Sequence, residues 1–70
     1  MNANMLLAEI KLKGLSMSEF LAAIKMHKGT WSKKIRGLTE FHRDEIQNII
    51  KTLKLTDEQI VSIFFNEKVS

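Results

Sequence analysis

Two helix-start signatures constrain the fold of this 70-residue chain more than any other feature of its sequence. Ser16 is followed three residues later by Glu19, and Thr56 is followed at the same spacing by Gln59. In such a capping box, the hydroxyl accepts the backbone N–H of the third helical residue, whose own side chain accepts the N–H of the cap residue. Each box therefore predicts a helix that begins at the next residue.

The spacing of apolar residues predicts an all-α fold of five helices. Apolar side chains recur at intervals of three and four, as on one face of an α-helix, and no proline interrupts them. Gly14 and Gly37 follow two of these segments and indicate helix ends, and at Gly37 we expect a positive φ angle. The predicted helices cover about residues 3–13, 17–24, 28–36 and 43–53, and a fifth helix begins after Thr56.

The apolar faces of these helices suffice for one small core, and we interpret residues 1–70 as a single domain near the lower size limit for independent folding. We expect Trp31 to pack in this core and Phe41 to anchor the loop before the fourth helix. The remaining predicted core residues are Leu6, Ile10, Leu15, Phe20, Leu21, Ile24, Met26, Ile35, Ile46, Ile49, Ile50, Leu53, Leu55, Ile60 and Ile63.

A second set of apolar side chains has no evident inward position in these helices. Such side chains are either scattered surface residues, which are common, or part of a surface that binds a partner. The sequence leaves both interpretations open. The set comprises Met5, Leu12, Leu38, Phe65 and Val69.

Positive charge is concentrated in the middle of the chain. The net charge is +3, and twelve consecutive residues, 25–36, carry five basic side chains and no acid. A local cationic patch attracts the phosphate backbone of nucleic acids, although a solvated helix face has the same composition. The basic residues of the segment are Lys25, Lys28, Lys33, Lys34 and Arg36.

Several classes of function find no support in the sequence. There is no cysteine, which excludes disulfides and thiolate metal sites and fits a reducing cytoplasm. No apolar run approaches the roughly 20 residues that span a membrane, and the first residues lack the basic leader of a signal peptide. The spacing of His27 and His42 matches no metal site, and we expect His27 to cap a helix instead. We therefore predict no catalytic residues, no cofactor and no metal.

Residues 16–37 predict two short helices that are separated by only three residues and end at a glycine. This is the layout of a helix-turn-helix, in which the first helix braces the second and the second enters the DNA major groove. The basic and small polar side chains of the second helix suit such a surface.

Over about residues 4–64, the chain resembles the lambda-repressor-like helix-turn-helix family, the Cro and CI group of phage and bacterial regulators. The segments TWSKKIRGLTEF and HRDEIQNIIKTLKLTDEQIVSIFF are especially similar to small regulators of phages that infect Gram-positive bacteria. The resemblance implies a five-helix lambda-repressor-like DNA-binding domain. It also rests on Leu15, Ser16, residues 20–22, Ile24 and Met26.

The resemblance implies a set of DNA contacts along and just beyond the second helix of the motif. Two positions depart from the family pattern. Met17 stands where the family often has a glutamine that binds phosphate, and Gly29 stands where it often has a polar side chain that reads a base. The implied DNA-binding residues are Lys28, Gly29, Ser32, Lys33, Arg36 and Thr39.

The resemblance implies two alternative functions. The first is a small transcriptional regulator that binds double-stranded operator DNA in a phage repression switch, as a homodimer on a two-fold site. The second is an antirepressor that binds and inactivates a partner repressor of the CI type. Met17, on an exposed helix start, would then bind the partner together with Lys28, Gly29 and Leu38. Both functions belong in the cytoplasm of a bacterial host cell.

Overall fold

The computed structural model describes residues 1–65, and this part of the chain forms five α-helices and no strand. The all-α prediction is confirmed, and the predicted helix boundaries agree with the observed ones to within one residue. None of the helices in the described range is long and apolar enough to cross a membrane. The helices are α1 (Ala3–Leu12), α2 (Met17–Ile24), α3 (Lys28–Ile35), α4 (Arg43–Leu53) and α5 (Asp57–Phe64).

Both predicted capping boxes are present. The Ser16 hydroxyl accepts the Glu19 N–H at 3.1 Å, and the Glu19 carboxylate accepts the Ser16 N–H at 2.9 Å. The Thr56 hydroxyl accepts the Gln59 N–H at 3.2 Å, and the Gln59 side-chain oxygen accepts the Thr56 N–H at 2.9 Å. These bonds satisfy backbone donors that have no partner inside α2 and α5.

Four of the helices end with a residue in the left-handed backbone conformation just beyond the helix. Glycine occupies this position after α1 and α3, as predicted, with φ of 74° at Gly14 and 81° at Gly37. Lysine occupies it after α2 and α4, with φ of 55° at Lys25 and 51° at Lys54. A residue with a Cβ costs roughly 1–2 kcal/mol in this conformation, so the tight turns at the two lysines are held by the surrounding structure.

The core lies between two helix pairs, because α2 packs against α4 and α1 packs against α5. The Asn2 N–H also donates to the Ile63 carbonyl at 2.7 Å, which ties the start of α1 to the end of α5. Every predicted core residue is buried or half-buried, although Ile46 lies outside the main cluster. The largest side chains with no solvent exposure are Leu6, Phe20, Ile49, Leu53 and Ile63.

Two aromatic predictions are confirmed. Trp31 is only 5% exposed, and its ring makes edge-to-face contacts with Phe20 at 5.3 Å and Phe41 at 5.6 Å between centroids. Phe41 continues the chain of rings to Phe64 of α5 at 6.4 Å. The loop before α4 is therefore anchored in the core through an aromatic side chain, as the sequence predicted.

Of the apolar residues for which no inward position was evident, one in the described range packs against the core and the others are exposed. Met5 was expected to have no inward position, but it is half-buried and packs against the core. The reason is that Met5 lies one residue before Leu6, so its flexible side chain reaches the edge of the same apolar face. Leu12, Leu38 and Phe65 are exposed. Val69 lies outside the described residues.

Candidate nucleic-acid interface

The helix α3 has two chemically different faces. Trp31 and Lys34 are buried against the rest of the protein, whereas Lys28, Gly29 and Lys33 are exposed. Ser32 is half-buried at the edge between these faces. Residues four apart are neighbours on a helix surface, so Lys28 lies next to Ser32 and Gly29 lies next to Lys33. Both pairs lie on the side of α3 away from the buried residues.

The start of α3 is capped by a histidine, as predicted. The imidazole Nδ1 of His27 accepts the Gly29 N–H at 3.1 Å, and the backbone of His27 is extended, as is usual for a cap residue. Gly29 itself has an ordinary helical conformation, because its φ is not positive. A Cβ built there would lie 3.4 Å from the His27 Nδ1, which is close to ordinary contact. The fold therefore does not require glycine at this exposed position.

The end of α3 turns sharply and places further predicted contact residues beside the helix. The Gly37 N–H donates to the Lys34 carbonyl at 3.1 Å, and the Leu38 N–H donates to the Lys33 carbonyl at 2.9 Å. This pair of bonds is the Schellman arrangement, with the glycine at its left-handed position. The Arg36 Nε donates to the Ser32 carbonyl at 3.2 Å, so the Arg36 side chain lies along the end of the helix.

The prediction that Lys34 belongs to the exposed cationic patch is wrong. Lys34 is only 6% exposed, and its ammonium group donates to the Glu40 carbonyl at 2.8 Å and lies 3.0 Å from the Glu45 carboxylate. It also lies 5.9 Å from the centre of the Phe41 ring. A lysine ammonium carried into the protein must be paired, and here the pairing joins α3 to α4. The exposed basic residues of the segment are Lys25, Lys28, Lys33 and Arg36.

Glu45 is held in its charged form by several partners. Its Oε1 atom accepts the His42 N–H at 2.7 Å and pairs with Lys34. Burial acts to raise the pKa of Glu45, but the hydrogen bonds and the positive charge of Lys34 outweigh burial and bring this pKa below its ordinary value. The same carboxylate therefore starts α4 and neutralises the buried lysine of α3.

Beside α3, the loop that follows it forms an open depression. Lys33 and Thr39, which the sequence predicted as DNA contacts, both line it, so the fold brings them together. Thr30 and His42 also line this depression, together with Lys34 and Glu40. His42 was not predicted as a site residue, because its proximity to α3 depends on how the loop folds back.

The burial of Met17 also differs from the prediction. It was expected on an exposed helix start, but it is half-buried and packs against the core. Leu38, by contrast, is 65% exposed at the end of α3. Of the four residues predicted to bind a protein partner, Lys28, Gly29 and Leu38 therefore offer exposed surface, while much of Met17 is used in packing.

Comparison with known proteins identifies no relative of this chain, since no protein-family model, no curated protein and no solved structure matches it. Within residues 1–65, no three histidine or acidic side chains lie close enough together to hold a metal ion. The candidate interface presents exposed cations, hydroxyl groups and backbone at α3 and the loop beyond it.

Proposed function

We propose that this protein is a small helix-turn-helix transcriptional regulator that binds duplex operator DNA in a repression switch. In this proposal, α3 enters the major groove and α2 braces it. The observation that carries the proposal is the charge separation on α3. Lys28, Lys33 and Arg36 are exposed and pair with no carboxylate in the described part of the chain, whereas the buried Lys34 is neutralised by Glu45.

The exposed residues differ in the contacts they could make. Lysine can reach guanine O6 and N7 or a phosphate, and the Ser32 hydroxyl can donate to either. Arg36 caps the end of α3 and Thr39 lies in the loop that follows, where phosphate contacts would set the orientation of the protein on DNA. Gly29 has no side chain to read a base, so the backbone of α3 can approach the DNA closely there. The cytoplasm of a bacterial host cell and a homodimer on a two-fold operator are part of this proposal.

A selection from random duplex DNA, followed by fluorescence anisotropy, tests the proposal. We expect one sequence to be enriched and bound more tightly than random duplex. The variant with Lys28→Ala and Lys33→Ala should bind more weakly, and the slope of log K against log salt should become shallower by about 0.9 for each lost phosphate contact.

A matched control removes two exposed lysines outside α3, through Lys11→Ala and Lys51→Ala. Its net charge equals that of the α3 variant, so it separates a local interface from general attraction between a basic protein and DNA. Equal losses of affinity in the two variants would argue against α3 as the recognition helix.

An antirepressor is the second candidate, and the exposure of Leu38 favours it. Leu38 is an exposed apolar side chain just beyond the end of α3, and Lys28 and Gly29 are exposed at the start of the same helix. In this alternative, these residues form the surface that contacts the protein partner. The partner would be a repressor of the CI type. A protein that leaves free operator DNA unshifted at low salt but releases such a repressor from it would favour this function over the first.

A further inference from the structure

The start of α3 depends on a single side chain that can change its protonation state. Elsewhere in the described residues, side-chain caps are provided by Asn2, Ser16 and Thr56, none of which titrates near neutral pH. At α3 the acceptor is the imidazole Nδ1 of His27. A neutral imidazole has one nitrogen that donates and one that accepts, whereas both nitrogens donate when the ring is protonated. The observed bond therefore requires the neutral ring with its proton on Nε2.

Among residues 1–65, no second side-chain interaction reinforces this helix start. The first turn of α3 contains no acidic residue, whereas α2, α4 and α5 each have at least one there. The residue at the third helical position is Thr30, which makes no capping box with His27. Gly29 also lies in this turn, and glycine lowers the intrinsic helix propensity of the turn. Loss of the His27 bond would therefore release the first turn of α3, since no other side chain in the described part of the chain caps it.

Charged groups of both signs surround His27. Lys25 lies on one side, in the turn, and Lys28 follows directly in the chain. Asp44 and Glu45 of α4 line the depression that His27 also lines, together with Lys25 and Thr30. The positive end of the α3 dipole faces the ring and opposes a positive charge on it. Protonation would thus replace an accepted hydrogen bond with a cation at the positive end of the helix.

We propose that His27 is a pH-sensitive cap that regulates the order of the first turn of α3. Neutral His27 holds the turn through the Gly29 N–H, and protonation of the imidazole at lower pH removes this acceptor and releases the turn. The turn contains Lys28 and Gly29, two of the residues at the proposed interface. The effect on DNA binding rests on the proposed function, but the effect on helix order does not.

Nuclear magnetic resonance of the 15N-labelled protein between pH 8 and 5 tests the cap directly. The amide shift of Gly29 should follow the titration of the His27 ring. Loss of a typical N-cap lowers the ratio of ordered to open helix starts about fivefold. Protection of the Gly29 amide from hydrogen exchange should therefore fall about fivefold when His27 is protonated. In the variant His27→Ser, whose hydroxyl also accepts but does not titrate, the Gly29 amide should be insensitive to pH beyond intrinsic exchange chemistry.

The variant His42→Asn is the matched control for an exposed histidine that makes no side-chain cap bond. It should retain the Gly29 titration of the parent protein. A Gly29 amide that does not respond to pH in the parent, or responds equally in His27→Ser, would overturn the proposal.

DNA binding by the parent and by His27→Ser, measured at pH 7.5 and 5.5, tests the regulatory consequence. The ratio of the parent affinity to the His27→Ser affinity should be lower at pH 5.5 than at pH 7.5. The decrease should be at most about fivefold, because binding needs the ordered turn. A rise in this ratio would mean that protonated His27 attracts phosphate, and would overturn the regulatory part. If neither protein binds DNA at either pH, the proposed function fails, while the Gly29 titration still decides whether His27 is a pH-sensitive cap.

Discussion

The ammonium group of Lys34 lies 3.0 Å from the carboxylate of Glu45, and this ion pair joins the inner face of α3 to the first turn of α4. The lysine side chain is 5% exposed and the glutamate side chain 21% exposed, so the two partners differ in access to water. Removing Lys34 and removing Glu45 should therefore have different effects on stability. The pair also explains why Lys34 is not part of the exposed basic surface of residues 25–36.

We predict that Glu45→Gln destabilises the protein more than Lys34→Met. The glutamine retains an acceptor for the His42 N–H but leaves a buried ammonium without its counterion, at a cost of about 2 kcal/mol. The methionine removes the buried charge and fills similar space, while Glu45 can still be hydrated, so its cost should be below about 1 kcal/mol. Urea denaturation of both variants measures the difference, and the reverse order of stability would contradict this account.

We predict that part of the stability is lost on acidification through Glu45. Its pKa in the folded protein lies below the ordinary value of 4.5, so the folded state favours the carboxylate. The contribution is fully present above the ordinary pKa and is lost as the pH falls through the folded pKa. The urea midpoint should therefore drop less between pH 6 and pH 3.5 in Glu45→Gln than in the parent. Equal drops would show that other groups account for the acid sensitivity.

We predict that Trp31→Ala destabilises the protein by about 3–5 kcal/mol, the usual cost of removing a buried aromatic side chain. The loss would be severe, because Trp31 contacts both Phe20 and Phe41 and a domain of this size has little stability to spare. Leu38→Ala is the matched control, since Leu38 is exposed and its loss should change stability by less than about 0.5 kcal/mol. Thermal denaturation followed by circular dichroism measures both, and equal melting temperatures would place Trp31 on the surface.

We predict opposite effects for alanine at two glycines near α3. Gly29→Ala should stabilise the protein by about 0.5 kcal/mol, because the position is helical and a Cβ has room there. Gly37→Ala should destabilise it by about 1 kcal/mol or more, because φ is 81°. Denaturation with urea again provides the measurement. Destabilisation by Gly29→Ala would indicate that the methyl group disturbs the His27 cap.

Local signals in the sequence were sufficient to predict the helices. Capping boxes at Ser16 and Thr56, glycines after α1 and α3, and uninterrupted apolar spacing each act within a few residues, so they can be recognised without knowing the fold. The same applies to the cap at His27 and to the inward position of Trp31. The exposure of the candidate DNA-binding residues was partly predictable, because exposed and buried strips of a helix follow from its period.

The sequence by itself determined where the helices begin and end and which faces are apolar, because these features depend on hydrogen bonds and side-chain spacing within one or two turns. Only the tertiary structure decided that Lys34 is buried and paired with Glu45, that Met17 packs against the core, and that His42 lies beside Lys33 and Thr39. These relationships join residues from different helices and from the loop between α3 and α4. They arise when the helices pack, because packing determines which charge loses its water and which partner replaces it.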